Sequence, residues 1–189
     1  MTHTLAYLAQ AEYQADGDHK SFTLEIFFRA PDRYMLRGRG ALGVTGFSAR
    51  IEGDSLVLLL NREHRGFQGR IESYPDSGVA ELWRLLQVGL PWLTGQVDLR
   101  RQEEGSWRVR LTERGSRPVR LALDQDARHF EFDFGRYRRL YPFWHLYEVR
   151  ATAPAGWLTL TLRQRLHNPD LDSTLFILEL PPDTRPLFD

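Results

Sequence analysis

The sequence predicts a mainly β (α+β) domain. We expect a single strongly curved antiparallel sheet or open barrel of about eleven strands, with one helix laid against it. Three observations carry this. Apolar residues alternate with polar ones through most of the chain. Short turns rich in Gly, Pro, Asp or Asn separate the alternating runs. One mid-chain segment breaks the rhythm with helical spacing.

The first alternation sets Phe22, Leu24, Ile26 and Phe28 against Ser21, Thr23, Glu25 and Phe27. Tyr34 and Leu36 then alternate with Arg33, Met35 and Arg37, and Phe47, Ala49 and Ile51 with Ser48, Arg50 and Glu52. Gly53-Asp54 reads as a tight hairpin turn into Leu56–Leu60, a run apolar on both faces that suits a strand covered on each side. The same period returns at Trp107/Val109/Leu111, at Phe130/Phe132/Phe134 and at Leu158/Leu160/Leu162. From Val79, apolar residues fall at Leu82, Trp83, Leu86 and Leu90, one face of a 3.6-residue helix. Ser77 is the expected N-cap, and Gly89 followed by Pro91 the expected stop. A shorter helical turn is expected at Asp170 or Asp172, before a strand-like Leu175–Leu180 run. With no repeat, linker or low-complexity tract, residues 1–189 are expected to form one domain.

Composition narrows the function classes. The chain has 189 residues with 25 basic and 25 acidic side chains, so its formal charge is zero. Zero charge supplies no general attraction to nucleic acid or anionic lipid, and we expect no nucleic-acid partner. Cysteine is absent, which removes disulfides, thiolate catalysis and Cys-based zinc sites. Leu56–Leu60 is the longest aliphatic run, far short of the ~20 residues of a membrane-spanning helix. The opening Met1-Thr2-His3 has no basic segment followed by an apolar stretch, so a secretory signal is not expected within the chain. Lys20 is the one lysine; arginine supplies the remaining positive charge.

Several motifs meet plainer explanations. Gly38-Arg39-Gly40-Ala41-Leu42-Gly43 has the spacing of a dinucleotide-binding turn, but strand continues after it where a helix should begin. Its glycines fit a bend or bulge between two strands. His129, Glu131 and Asp133 share one strand face, with His145 on the next strand; a solvated polar face explains them without metal or acid–base chemistry. Arg136, Arg138 and Arg139 beside Tyr137 and Tyr141 read as a solvated turn. No catalytic constellation, metal site or cofactor is expected. Leu42 and Val44 are different, because a glycine-flanked connection between strands usually carries polar residues. Either Leu42 folds back into the core, or it meets a membrane or partner.

These segments, in this order, resemble a known family. Phe22–Phe28, then Pro31-Asp32-Arg33-Tyr34-Met35-Leu36 and Ala41-Leu42-Gly43, are similar to the outer-membrane lipoprotein receptor LolB and its carrier relative LolA. The similarity continues through the Gly53–Leu60 hairpin, Gly66-Phe67-Gln68-Gly69, the Leu82–Leu86 helix and Leu90-Pro91-Trp92-Leu93-Thr94-Gly95, about half the chain. The resemblance implies an unclosed β-barrel with a helical lid, whose apolar interior holds acyl chains of lipids or lipoproteins. It implies a bacterial periplasmic protein, anchored in its native form to the outer membrane by a lipidated cysteine this chain does not contain. A periplasmic carrier and the outer-membrane surface would be its partners. Leu42 stands where the receptor branch has a membrane-contacting leucine, and Val44 belongs to the same loop. The chain departs from the receptor in having Ala41 where that triplet begins with proline, and in a shorter Leu-Pro-to-Trp-Leu-Gly stretch.

The expected mechanism is therefore passive, non-enzymatic binding in a cavity. Candidate lining residues are Phe22, Leu24, Ile26, Phe28, Tyr34, Leu36, Leu82, Trp83 and Leu86; the pattern does not say which strand face lines it. Two competing classes make different expectations. An envelope scaffold of the same fold would have a packed interior. An enzyme would turn His129, Glu131 or His145 into the barrel mouth.

Overall fold

A computed structural model describes residues 3–15, 17–74, 77–93, 103–104, 107–115, 117–126, 128–140, 143–154 and 156–188. In chain order the first strands are β1 (Thr4–Ala15), β2 (Asp18–Arg29), β3 (Arg33–Arg39), β4 (Thr45–Glu52), β5 (Ser55–Leu60) and β6 (Arg65–Arg70). A single α-helix among the described residues, α1 (Ser77–Leu93), follows. The second half contributes β7 (Glu103–Glu104), β8 (Trp107–Arg114), β9 (Arg117–Gln125), β10 (Arg128–Phe134), β11 (Tyr137–Leu140), β12 (Phe143–Leu146), β13 (Glu148–Ala153) and β14 (Gly156–His167). A two-residue β15 (Arg185–Pro186) ends the chain's regular structure.

Thirteen of these strands form one sheet, in the order β15-β6-β5-β4-β3-β2-β1-β14-β13-β10-β9-β8-β7. Every junction is antiparallel except the short β15–β6 pair, which is parallel. Neighbours in the sheet are mostly neighbours in sequence, because hairpins link them; the β11–β12 hairpin is a side excursion between β10 and β13. The long-range junction is β1 with β14, where Leu5 lies opposite His167 and Ala15 opposite Gly156. A twisted sheet this wide curls, since open sheets rarely exceed ~10 strands flat. Its edges are β15, laid on β6, and β7; β6 and β7 flank α1 in sequence, and that helix packs against β13 and β14. The result is an unclosed barrel with one helix, the predicted architecture.

The inward residues are those of the predicted alternation. Leu5, Leu24, Ile26, Phe28, Leu36, Ile51, Leu56, Leu121, Phe130 and Leu160 are all buried in one cluster. Gly53 adopts a left-handed φ of 58° in the two-residue turn that pairs Glu52 with Ser55. On α1, Ala80, Trp83, Leu85, Gly89 and Leu90 are buried, a broader stripe than the spacing predicts.

Three local expectations are corrected. Gly89 and Pro91 do not stop the helix, which runs to Leu93. Gly89 is instead a point of contact, because a Cβ there would lie 2.4 Å from the Phe132 ring. The Leu175–Leu180 run is not a strand. A 3₁₀ turn spans Ser173–Phe176, with the Asp172 carboxylate accepting from the Thr174 N–H. The following residues then cross the convex side of the sheet as an irregular strap. Arg29 donates to the Leu171 carbonyl and lies 4.9 Å from the Phe176 ring centroid. Further on, Leu180 and Thr184 press on Gly66, and Phe188 meets Tyr74 edge-on at 5.0 Å. This strap buries Met35, Val57 and Phe176 apart from the main core. It is why Leu56–Leu60 is apolar on both faces. Finally, the basic run expected as a turn is the β11–β12 hairpin; the side chains of Arg138, Arg139, Tyr141 and His145 lie outside the described residues.

Candidate functional site: an apolar cavity at one end of the barrel

Side-chain size decides where the barrel is solid. At the end holding Leu5 and Phe28, large residues fill the interior, and the helix residue Leu90 closes it. The void left there is about 30 Å³, room for about one water. At the opposite end the wall carries Gly38, Gly40 and Gly46, and a cavity of about 540 Å³ remains. The β1–β2, β3–β4 and β5–β6 turns surround its mouth, and Trp83 and Leu86 of α1 form its roof.

The lining is almost wholly apolar. Phe22 and Leu24 of β2, Leu36 of β3, Phe47 of β4, Leu58 and Leu60 of β5, and Leu158 of β14 make the wall. Phe47 is its central aromatic, edge-on to Phe22 at 5.6 Å and to Trp83 at 6.3 Å. Its position depends on Gly38, directly opposite across the β3–β4 pair, where any Cβ would fall 2.0 Å from the Phe47 ring. Gly38 and Gly40 of the apparent dinucleotide motif therefore work as cavity wall. A register shift at Gly38/Arg39 bends the strand there.

Polar character appears at the rim. Lys20 and Ser21 line the mouth and are exposed. The Lys20 ammonium lies 3.2 Å from Asp18 and 5.9 Å from the Tyr13 ring centroid. Its hydrogen bond to Asp18, with help from Tyr13, holds the amine above its ordinary pKa, so it stays cationic.

The expected lining residues divide. Phe22, Leu24, Leu36, Trp83 and Leu86 stand around this cavity. Ile26, Phe28 and Tyr34 share the inward face but lie outside the lining, toward the filled end. Leu82 is on the helix, but its side chain lies outside the described residues. Phe47, Leu58 and Leu60 were not among the expected residues. Their signal was available in register: Phe47 faces Leu60 across β4–β5, and both continue the inward face.

The β3–β4 connection projects beyond the mouth. The Gly40 N–H donates to the Val44 carbonyl and the Gly43 N–H to the Gly40 carbonyl, closing a tight loop. Leu42 at its tip is 88% exposed, and Val44 is 47% exposed. Leu42 does not fold into the core.

The polar strand face of His129, Glu131 and Asp133 points to the convex side, away from the cavity. His129 contacts Asp124 at 2.7 Å, and Arg120 bridges Glu131 at 3.0 Å and Asp133 at 2.7 Å. The His129 hydrogen bond, followed by Arg110, holds the Asp124 carboxyl below its ordinary pKa. This is a solvated ladder of ion pairs. A second hollow, about 380 Å³, lies beside α1 between Glu72, Arg84, Trp107 and Arg128, and its walls mix charged and apolar groups.

No family model matches the chain, and no curated protein matches it in sequence. Solved structures do match in fold. A LolA superfamily protein from Nitrosomonas europaea aligns with a TM-score of 0.57 at 8% identity, over 94% of this chain and 91% of that one. A domain named for outer-membrane lipoprotein sorting, from Vibrio parahaemolyticus, aligns at 0.55 and 9% identity, over 92% and 89%. A DUF1329 family protein from Desulfovibrio piger aligns at 0.57 and 9% identity, over 94% and 90%. A curled antiparallel sheet left open on one side and crossed by a helix is thus a fold this chain shares with a LolA superfamily protein and a lipoprotein-sorting domain.

Proposed function

We propose that the protein is a non-enzymatic binder of lipid or lipoprotein acyl chains, acting in the bacterial periplasm at the outer membrane. The observation that carries this reading is the cavity of about 540 Å³ with apolar walls and an open, weakly polar mouth. That size falls in the ~300–1,000 Å³ range of small-molecule sites. A chain moving from water into it gains about 0.8 kcal/mol per methylene, so about 12 kcal/mol for a sixteen-carbon chain. Association and ordering costs of several kcal/mol leave micromolar binding. The two fold relatives named for LolA and for lipoprotein sorting support the same compartment.

Leu42 and Val44 complete the reading. A leucine 88% exposed on a hydrogen-bonded loop beside the mouth suits brief insertion into a lipid surface, which would bring the cavity to its cargo. In the native protein a lipidated N-terminal cysteine would add the stable anchor that one loop cannot supply.

The test is displacement of a fluorescent fatty-acid probe, together with mass spectrometry of organic extracts from the purified protein. Micromolar displacement and co-purified lipid support the reading. No binding across acyl ligands and lipopeptides would overturn it and leave an envelope scaffold of the same fold.

A further inference from the structure

We infer that the cavity takes one acyl chain at a time and that Lys20 receives an anionic head group at its mouth. The inference rests on the acyl-binding reading above and narrows its ligand to single-chain anionic amphiphiles. Two independent features of the site carry it.

The first is capacity. A methylene needs about the ~30 Å³ that a water occupies in the liquid. A cavity of about 540 Å³ therefore holds one chain of roughly eighteen carbons. A second long chain would need as much room again. The neighbouring void at the filled end is only about 30 Å³, and Ile26 and Leu90 wall it, so the cavity cannot lengthen in that direction.

The second is charge. Among the described lining residues Lys20 is the one ionised side chain. It occupies an inward-facing position opposite Tyr13, one alternation beyond Phe22. A chain seated against Phe22 and Leu24 would thus bring its head beside the ammonium. Asp18, its present partner, is 70% exposed, and an ion pair so exposed contributes little. The ammonium can therefore exchange Asp18 for a carboxylate or phosphate on the ligand without leaving a buried charge unpaired. Both heads offer the same chemistry, oxygen acceptors with negative charge, to the one cation at the rim.

The experiment displaces the fluorescent probe with palmitate, hexadecyl phosphate, hexadecanol and a diacyl phosphatidic acid, in the wild-type protein and in the Lys20→Gln and Lys20→Arg variants. We expect one ligand per protein. Affinity should rise about fourfold per methylene along a fatty-acid series and level off near eighteen carbons. At least one anionic C16 ligand should bind about tenfold or more tighter than hexadecanol. Lys20→Gln should erase that advantage while leaving hexadecanol unchanged, and Lys20→Arg should keep it. Preference for palmitate or for hexadecyl phosphate identifies the head, and either result supports the inference. Hexadecanol binding as tightly as both anions, or the diacyl lipid gaining from both its chains, overturns it while acyl binding itself survives. Failure of every acyl ligand removes the functional reading as well.

Discussion

Enlarging a side chain separates a hollow barrel from a packed one, and the two ends of this barrel supply matched positions. Leu60 lines the cavity and is half-buried, whereas Ile51 is 1% exposed in the filled region. Leu60→Phe adds three carbons into space that is empty without ligand. At about 0.8 kcal/mol per buried carbon the ceiling is about 2 kcal/mol, and partial exposure halves it to about 1 kcal/mol of stabilisation. Ile51→Phe forces similar bulk into close packing, which costs about 1–3 kcal/mol. For a chain of this size each kcal/mol shifts the midpoint by about 2–4 °C. Thermal and urea unfolding should therefore move in opposite directions for the two variants. Probe affinity should fall only for Leu60→Phe, because that ring occupies ligand space. Equal destabilisation by both would show that the void closes in solution, and the reasoning from cavity volume would fail.

Other outcomes follow from particular contacts. Gly89→Ala improves intrinsic helix propensity by about 1 kcal/mol, yet it should destabilise by about 1–3 kcal/mol because of the Phe132 ring; a second change, Phe132→Leu, should restore most of the loss in urea unfolding. Leu42→Glu should leave stability within about 0.5 kcal/mol, as expected of an exposed tip, and reduce co-sedimentation with liposomes. Burial pushes the Tyr137 phenol up to about 12, so the folded state favours its neutral form. That contribution is complete below about pH 10, the unfolded value, and is lost as pH rises from there toward 12. Stability measured across this interval should fall less steeply in Tyr137→Phe. Gly66→Val should push Leu180 and Thr184 off the sheet and expose the strap to limited proteolysis.

How much of this was legible in the sequence depends on the range of the interactions involved. Alternation reports a local geometry, the pleat, so the faces holding Phe22, Leu24 and Leu36 could be read directly. Helix period likewise placed Trp83 and Leu86 on one stripe. Which end of the inward face stays hollow is a different question, settled by residues far apart in sequence. Ile26 and Phe28 follow Leu24 in perfect alternation, yet they face Tyr7 and Leu5 across β1, where bulk fills the space. The stop expected at Gly89 failed for a similar reason. The glycine answers to Phe132, more than forty positions away, and a local reading saw only its weak helix propensity. The strap was illegible because it has no period; its imprint was the double-faced apolar run Leu56–Leu60, seen without its cause.

The division of labour along the barrel has a physical consequence for binding and stability. A sheet whose two halves join through β1 and β14 needs a dense interior where those strands meet the helix, and Leu5, Tyr7, Leu90 and Leu160 provide it. Once that end is anchored, the other end can be left underpacked, because the wall there is held by backbone pairing and, on its outer side, by the strap over β3 to β6. Glycines at 38, 40 and 46 then create room without an unsupported surface. Ligand binding and folding stability should therefore draw on largely separate residues. The exception is Phe47, which contacts Phe22 and Trp83 at once and sits on Gly38. A ligand entering from the Lys20 rim must pass this ring or displace it. Phe47→Leu should accordingly speed probe exchange more than it changes equilibrium affinity. An unchanged exchange rate in stopped-flow would show that the ring lies off the entry path.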